Sequence, residues 1–148
     1  AEIIPISALE KFNLDLVLKR IVELLPESPA YYGKEEFTDK SERFFVSEII
    51  REKILLNYKQ EIPYSVEIVV NSFKDEKNIL KIQADILVER DSQKGIIIGN
   101  KGKALTKTGT EARIDMENFF GRKVFLQLFV KVDSDWRNNE NRLKQFGY

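Results

Sequence analysis

The chain has 148 residues, of which 43% are hydrophobic and 32% charged, a size and composition typical of one globular domain with a short appendage. It contains neither cysteine nor histidine, which excludes disulfides, Cys/His zinc sites and histidine-based catalytic centres and which fits a reducing cytoplasm. No stretch is long and apolar enough to cross a bilayer, and no signal-peptide pattern is present.

The N-terminal region predicts a short strand followed by one helix. Residues 2–6 fit a buried strand, although Pro5 limits its hydrogen-bond ladder. Apolar residues then recur at helical spacing over residues 13–25, with Asn13 as the candidate N-cap, and Pro26 ends this helix. The prolines and the glycine that follow indicate a linker.

A longer helix and a hairpin of two strands are predicted next. Asp39 and Glu42 form a candidate capping box, and the apolar stripe that follows them lasts to about Tyr58. The apolar period then changes from 3.6 to 2. This change predicts strands around residues 65–71 and 80–89, joined by a hairpin loop at Lys74-Asp75-Glu76-Lys77-Asn78.

Two consecutive helices follow the hairpin. A short apolar helix is expected at residues 93–98, and a longer one over Lys103–Phe120 with Gly121 as its stop. A rival interpretation begins a new helix at Thr108, capped by Glu111. The unbroken apolar stripe favours the single helix.

A third strand at residues 124–132 and a final helix, with Ser134 as its candidate cap, complete the order. Phe125 and Phe129 lie on the less apolar face of this strand. They could stack bases, but packing beneath a neighbouring helix is the preferred interpretation. Three strands with a single apolar face need helices to cover it, so the predicted fold class is a two-layer α+β domain.

The motif Gly99-Asn100-Lys101-Gly102 falls between the two consecutive helices. Its glycines let a backbone turn sharply and come close to a ligand. Residues 90–107 carry five basic side chains against Asp91 alone, within a chain of zero net charge, and such a local field attracts phosphates. A plain turn on a solvated basic face is the alternative, but the setting between two helices favours phosphate binding.

This order, with GxxG between the central helices, resembles a type II KH domain. Longer stretches resemble, in the same order, the C-terminal half of Era-type GTPases. They are residues 37–44, 47–53, 62–66, 89–94, 97–102 and 109–113, and Trp136 with Gly147-Tyr148.

The N-terminal residues fit the same resemblance. Pro5-Ile6-Ser7-Ala8 is similar to the last guanine-contacting motif of a small GTPase, so Ser7 and Ala8 are expected to be the remnant of a nucleotide site. The chain lacks the phosphate loop, the magnesium motif and the base-reading motif of such enzymes. It is therefore expected to be a fragment without enzymatic activity or cofactor, whose parent hydrolyses GTP with Mg²⁺. The expected organisation is the end of a GTPase domain at residues 1–27, a linker at 28–38 and a type II KH domain at 39–148.

The resemblance also implies partners. It predicts binding of single-stranded RNA at the 3′ end of the small-subunit ribosomal RNA and assistance in maturation of the small ribosomal subunit. It implies a cytoplasmic protein, and some members of the family associate peripherally with the inner membrane. The alternative is an assembly scaffold without RNA specificity, which self-associates through an unpaired strand edge at residues 2–6.

The residues expected to contact RNA lie in the GxxG loop, beside it and along the next helix: Ile98, Gly99, Asn100, Lys101, Gly102, Lys103, Leu105 and Arg113. The glycines admit the RNA backbone, Lys101 and Lys103 contact phosphates, and the two apolar side chains form a floor under the bases. Asn100 points to solvent or to a phosphate. Arg113 is equally compatible with an ordinary surface charge. No catalytic residue and no metal ligand is expected.

Overall fold

A computed structural model describes residues 2–29, 41–134 and 136–146, which fall into two compact units, residues 1–39 and 40–148. The first unit contains one helix, α1 (Leu14–Leu24). It follows a tight turn in which the backbone amide of Phe12 donates to the carbonyl of Ser7 at 3.0 Å. The predicted helix is therefore present, with its first residue as expected and its last residue one position earlier.

Two details of this unit correct the sequence-based expectation. Residues 2–6 form no strand. No described strand makes backbone ladder hydrogen bonds with them, and Pro5 has no N–H to donate. Asn13 precedes α1 in a left-handed conformation, with φ of 56°. Its side-chain amide donates to the carbonyl of Pro5 at 3.0 Å, so it does not cap the first turn of α1.

The second unit has the order helix, strand, strand, helix, helix, strand, helix. These elements are α2 (Glu42–Asn57), β1 (Glu67–Glu76), β2 (Ile79–Val88), α3 (Asp91–Ile98), α4 (Lys103–Phe120), β3 (Val124–Val132) and α5 (Glu140–Phe146).

The three strands form one sheet in the order β1-β2-β3. β1 and β2 are antiparallel, and β2 and β3 are parallel. The hairpin is tighter than predicted, because the strands continue to Glu76 and resume at Ile79, with only Lys77 and Asn78 in the turn. In the strand order β1-β2-β3, β3 lies at an edge of the described sheet, a placement that matters for the site described below.

Helices α2, α3 and α4 cover one face of the sheet. The hydrophobic core contains completely buried side chains from α2, β2, α3 and α4, namely Val46, Ile50, Ile54, Ile82, Ala84, Ile86, Val88, Ile97, Ala112 and Met116. These residues have the helical and alternating periods from which the elements were predicted. The two-layer α+β fold is confirmed.

The helix ends show where local signals compete. α4 runs unbroken from Lys103 to Phe120 and ends at Gly121 in the left-handed conformation, as predicted, and Thr108 is buried within it. α2 begins later than expected, because the hydroxyl of Ser41 accepts the amide of Phe44 at 3.4 Å, whereas Asp39 lies outside the described residues. The last helix is capped by Asn139, not by Ser134.

Phe125 and Phe129 were expected in the core, and this expectation is wrong. They point to the face of the sheet opposite the helices, where their exposed fractions are 47% and 48%. No helix in the described part of the chain meets the length and hydropathy needed to span a bilayer.

Candidate nucleic-acid interface

The GxxG loop joins α3 to α4 through a tight turn over Asn100–Gly102. Gly99 has φ of 70° and ψ of −177°, and Gly102 has φ of 77° and ψ of 5°. Both values of φ lie in the region that side chains disfavour. The Gly99 amide donates to the carbonyl of Gly95 at 2.9 Å, and the Gly102 amide donates to the carbonyl of Gly99 at 3.2 Å. The backbone hydrogen bonds define the turn.

The two glycines serve different purposes. A Cβ on Gly99 would lie 2.6 Å from the Cβ of Ala104, so the missing side chain lets the end of α3 contact the start of α4. A Cβ on Gly102 would meet nothing within 4 Å. Gly99 is therefore required for packing and conformation, whereas Gly102 is required for conformation and leaves open space outside the loop.

Lys101 lies at the tip of the loop in a left-handed conformation, with φ of 50° and ψ of 32°. A side chain in this conformation costs about 1–2 kcal/mol. Lys101 and Lys103 are both exposed, and in the described part of the chain no carboxylate lies within ion-pair distance of either ammonium group. Their charges are available to a ligand.

A buried tyrosine supports the loop from below. The Tyr58 hydroxyl, at the end of α2, donates to the carbonyl of Ile97 at 2.8 Å and accepts a hydrogen bond from the hydroxyl of Thr108 at 3.2 Å. A tyrosine hydroxyl is protonated at neutral pH, and burial raises the pKa of Tyr58 further above its ordinary value of 10.0. Three helices are thus connected immediately beneath the GxxG loop.

A groove of about 410 Å³ runs between α4 and β3. Its lining combines apolar, hydroxyl and guanidinium groups from Leu105, Thr106, Gly109, Thr110, Arg113, Phe125, Leu126 and Leu128. A Cβ on Gly109 would approach the Leu128 side chain to 3.3 Å, so this glycine allows α4 to lie close to β3. The groove has an apolar floor with polar groups along it, which suits flat bases with polar edges.

Arg113 reaches this groove from the middle of α4. Its guanidinium lies 2.9 Å from a carboxylate oxygen of Glu117, one helical turn away. The pKa of Glu117 is lowered, chiefly because the Val124 amide donates to it at 3.1 Å, with Arg113 contributing. Arg113 is therefore both a groove residue and a paired surface charge.

The structure brings most of the predicted RNA-contacting residues together. Residues 99–103 form the loop and its exit, while Leu105 and Arg113 line the adjoining groove. Ile98 is half-buried and packs against the core instead of lining the groove. Thr106 and Thr110 were not predicted. Their signal was available, because Thr106, Thr110 and Arg113 are spaced by four and three residues and therefore share one face of the helix.

Ser7 and Ala8 belong to the first unit. The Ser7 hydroxyl accepts the amide of Glu10 at 3.2 Å, and Ala8 is exposed. Within the described residues, no group of three or more acidic side chains could hold a metal ion.

Comparison of the sequence with known proteins identifies the family to which this chain is related. Residues 61–137 match the family model of the KH domain. GTPase Era of Syntrophus aciditrophicus is 51% identical over 100% of this chain and 49% of its own length. GTPase Era of Coxiella burnetii strain Dugway is 48% identical over 99% of this chain and 50% of its own length. The chain spans about half the length of the curated relatives it matches.

Solved structures agree with these sequence matches. Aquifex aeolicus Era bound to GDP·AlF4⁻ has a TM-score of 0.92 and 40% identity, covering 100% of this chain and 50% of that chain. The same values describe Era in complex with MgGDPNP and nucleotides 1506–1542 of 16S ribosomal RNA. The predicted resemblance is confirmed.

Proposed function

Because this chain belongs to the KH domain family, we propose that its GxxG loop and the groove between α4 and β3 bind single-stranded RNA. The observation that carries the proposal is a pair of exposed lysines, Lys101 and Lys103, on a glycine loop at the start of the helix that lines this groove. Neither lysine has an ion-pair partner among the residues that the structure describes. An Era structure that contains a segment of 16S ribosomal RNA supports the same class of ligand.

In this proposal the loop binds the RNA backbone and the groove binds the bases. The RNA backbone passes along the loop, where Gly102 leaves room for phosphates and the lysines neutralise them. KH loops clamp about four nucleotides. The bases of these nucleotides lie over Leu105 and Leu128, with Thr106, Thr110 and Arg113 able to reach their polar edges.

The finer functional assignments extend this proposal to the whole protein. The RNA is the 3′ end of the small-subunit ribosomal RNA, and binding assists maturation of the small subunit. The parent protein hydrolyses GTP with Mg²⁺ in a domain of which residues 1–27 are the end, with Ser7 and Ala8 near the base. Residues 28–38 are the linker and residues 39–148 the RNA-binding domain. Era relatives with bound GDP·AlF4⁻ or MgGDPNP support the nucleotide assignment.

The test is a titration with an oligonucleotide of the 3′ end of small-subunit ribosomal RNA. Replacing Asn100 and Lys101 by Asp should weaken binding about 100-fold, because two negative charges then face the phosphates. Both side chains are exposed, so unfolding by urea should change little. The matched control is Lys59→Asp with Gln60→Asp, which makes the same change in charge at exposed positions. Gln60 also has a left-handed φ, of 58°.

Three outcomes decide the proposal. Loss of affinity in the loop variant alone supports it. Equal affinity of the loop variant and the unchanged protein refutes it, and an equal loss in both variants shows attraction by net charge without a site. Mutating Lys101 or Lys103 singly to Met should also reduce the slope of log affinity against log salt by about 0.7.

A contact surface for another globular unit is the second candidate function. It is favoured by α1, whose apolar side chains are between 36% and 68% exposed at Leu14, Leu16, Leu18, Ile21, Val22 and Leu24. Self-association that Leu18→Asp abolishes, measured by sedimentation, would support this role. RNA affinity unaffected by the same change would separate the two functions.

A further inference from the structure

The sheet face opposite α2, α3 and α4 carries an ordered array of side chains. The strand register places Lys74, Lys81 and Phe125 in one row across β1, β2 and β3. The next row on this face is Ser72, Gln83 and Gln127, and the one after it is Val69, Asp85 and Phe129. β3 therefore presents two aromatic rings with an amide between them.

The two rings are about half exposed, at 47% for Phe125 and 48% for Phe129. Four residues along a strand separate them, which corresponds to about 13 Å. Between the rings, the Gln83 amide donates to the side-chain oxygen of Gln127 at 2.6 Å. We call Phe125, Gln127 and Phe129 the aromatic platform.

Lysines surround the platform. Lys74 has no carboxylate within ion-pair distance in the described part of the chain. Lys81 lies 2.8 Å from Glu76, but both side chains are about half exposed, and such pairs contribute little and exchange readily for a phosphate. Lys131, beyond Phe129, pairs with the buried Asp85.

The platform is continuous with the groove. Phe125 lines the groove between α4 and β3 and also stands on the open face. Phe125 can reach both surfaces because β3 is the edge strand of the described sheet. A nucleotide chain that leaves the groove can pass over this edge and meet Phe129 next.

We propose that the aromatic platform is a second RNA subsite, which stacks the bases of nucleotides beyond those held by the GxxG loop and groove. The proposal rests on the function proposed above. Exposed aromatic rings for stacking, lysines for phosphates and an amide pair for base edges are the groups by which sheet surfaces hold single strands. A symmetric dimer through this face is disfavoured, since it would bring the lysine-bearing face of one copy against that of the other.

The experiment compares two oligonucleotides from the 3′ end of the small-subunit ribosomal RNA. One has four nucleotides and fills the groove, and the other has about twelve and extends past it. Phe129→Ala is the main variant, because Phe129 is absent from the groove lining. Tyr64→Ala is the matched control, an aromatic residue that is 75% exposed and lies outside the sheet.

Phe129→Ala should weaken binding of the long oligonucleotide about fivefold to hundredfold and leave the short one unchanged. Phe129→Trp should restore the affinity and Phe129→Leu should not, since stacking needs a ring. Tyr64→Ala should alter neither oligonucleotide. An unchanged affinity of Phe129→Ala for the long oligonucleotide overturns the proposal, as does equal rescue by Leu.

The two proposals fail in distinguishable ways. If the short oligonucleotide binds and responds to the loop variant while Phe129→Ala has no effect, only the platform is refuted. If no oligonucleotide binding responds to the loop variant, the RNA-binding site itself is refuted. Sedimentation of Phe129→Ala provides a further check. A dimer that this variant disrupts without any change in RNA affinity would assign the face to self-association and overturn the platform.

Discussion

Gly99→Ala is the most informative change in the loop, because the residue combines an unusual conformation with close packing. Its φ of 70° and ψ of −177° place it in a region populated almost only by glycine, which costs other residues about 1–3 kcal/mol. The new Cβ would also lie 2.6 Å from the Cβ of Ala104. Relief of that contact by local shifts costs about 1–3 kcal/mol.

One effect opposes these costs. Replacing glycine by alanine restricts the unfolded chain and stabilises the fold by about 0.4–1 kcal/mol. The net expectation is a loss of about 1–5 kcal/mol in the free energy of unfolding. Gly102→Ala is the matched control, because its φ of 77° is also left-handed while its surroundings are open. It should lose only about 1 kcal/mol.

Urea unfolding of the two variants measures this difference directly. The double variant Gly99→Ala with Ala104→Gly removes one of the two methyl groups that meet, so it should recover part of the loss beyond the sum of the single changes. Equal stabilities of Gly99→Ala and Gly102→Ala, within about 0.5 kcal/mol, would refute the reasoning from packing. Absence of coupling with Ala104 would show that conformation alone is responsible.

Two further predictions concern buried polar groups. Tyr58→Phe should lower the free energy of unfolding by about 1–2 kcal/mol in urea, because the Ile97 carbonyl loses its donor. Burial raises the pKa of Tyr58 above its ordinary value of 10.0, so the free energy of unfolding should also fall as pH rises above about 10. Unfolding followed by circular dichroism should show a smaller fall of this free energy in Tyr58→Phe. Lys131→Met leaves the Asp85 carboxylate buried without its cation and should cost about 1–3 kcal/mol, of which Asp85→Asn should restore a part. An unaltered urea midpoint for Lys131→Met would show that the Asp85 carboxylate needs no partner.

The sequence predicted best where several local signals agree. α4 was predicted to the residue, since an uninterrupted apolar stripe, a preceding glycine loop and a glycine in the left-handed conformation at its end all specify the same helix. The start of α2 was missed, because both Asp39 and Ser41 are good N-cap residues and local chemistry does not rank them. The prediction of a strand at residues 2–6 was wrong, because a strand forms only when another strand lies beside it and pairs with it.

The geometry of the candidate site could be anticipated along the chain but not across it. Residues 99–103 are contiguous, so their sequence was sufficient to place them together in one loop between two helices. Thr106 and Thr110 line the groove only because β3 packs beside α4. Phe125 and Phe129 were assigned to the core because alternation shows which residues share a face, but not whether a second layer covers it.

The most direct test of the account is to locate the RNA on the protein. Titration of an isotope-labelled chain with the 3′-end oligonucleotide should shift backbone amide resonances in residues 99–103, along the groove face of α4 and in β3. The backbone amide resonances of residues on the outer face of α2 should not shift. Resonances of residues 99–103 that stay unchanged while saturable binding shifts another surface would contradict the central claim.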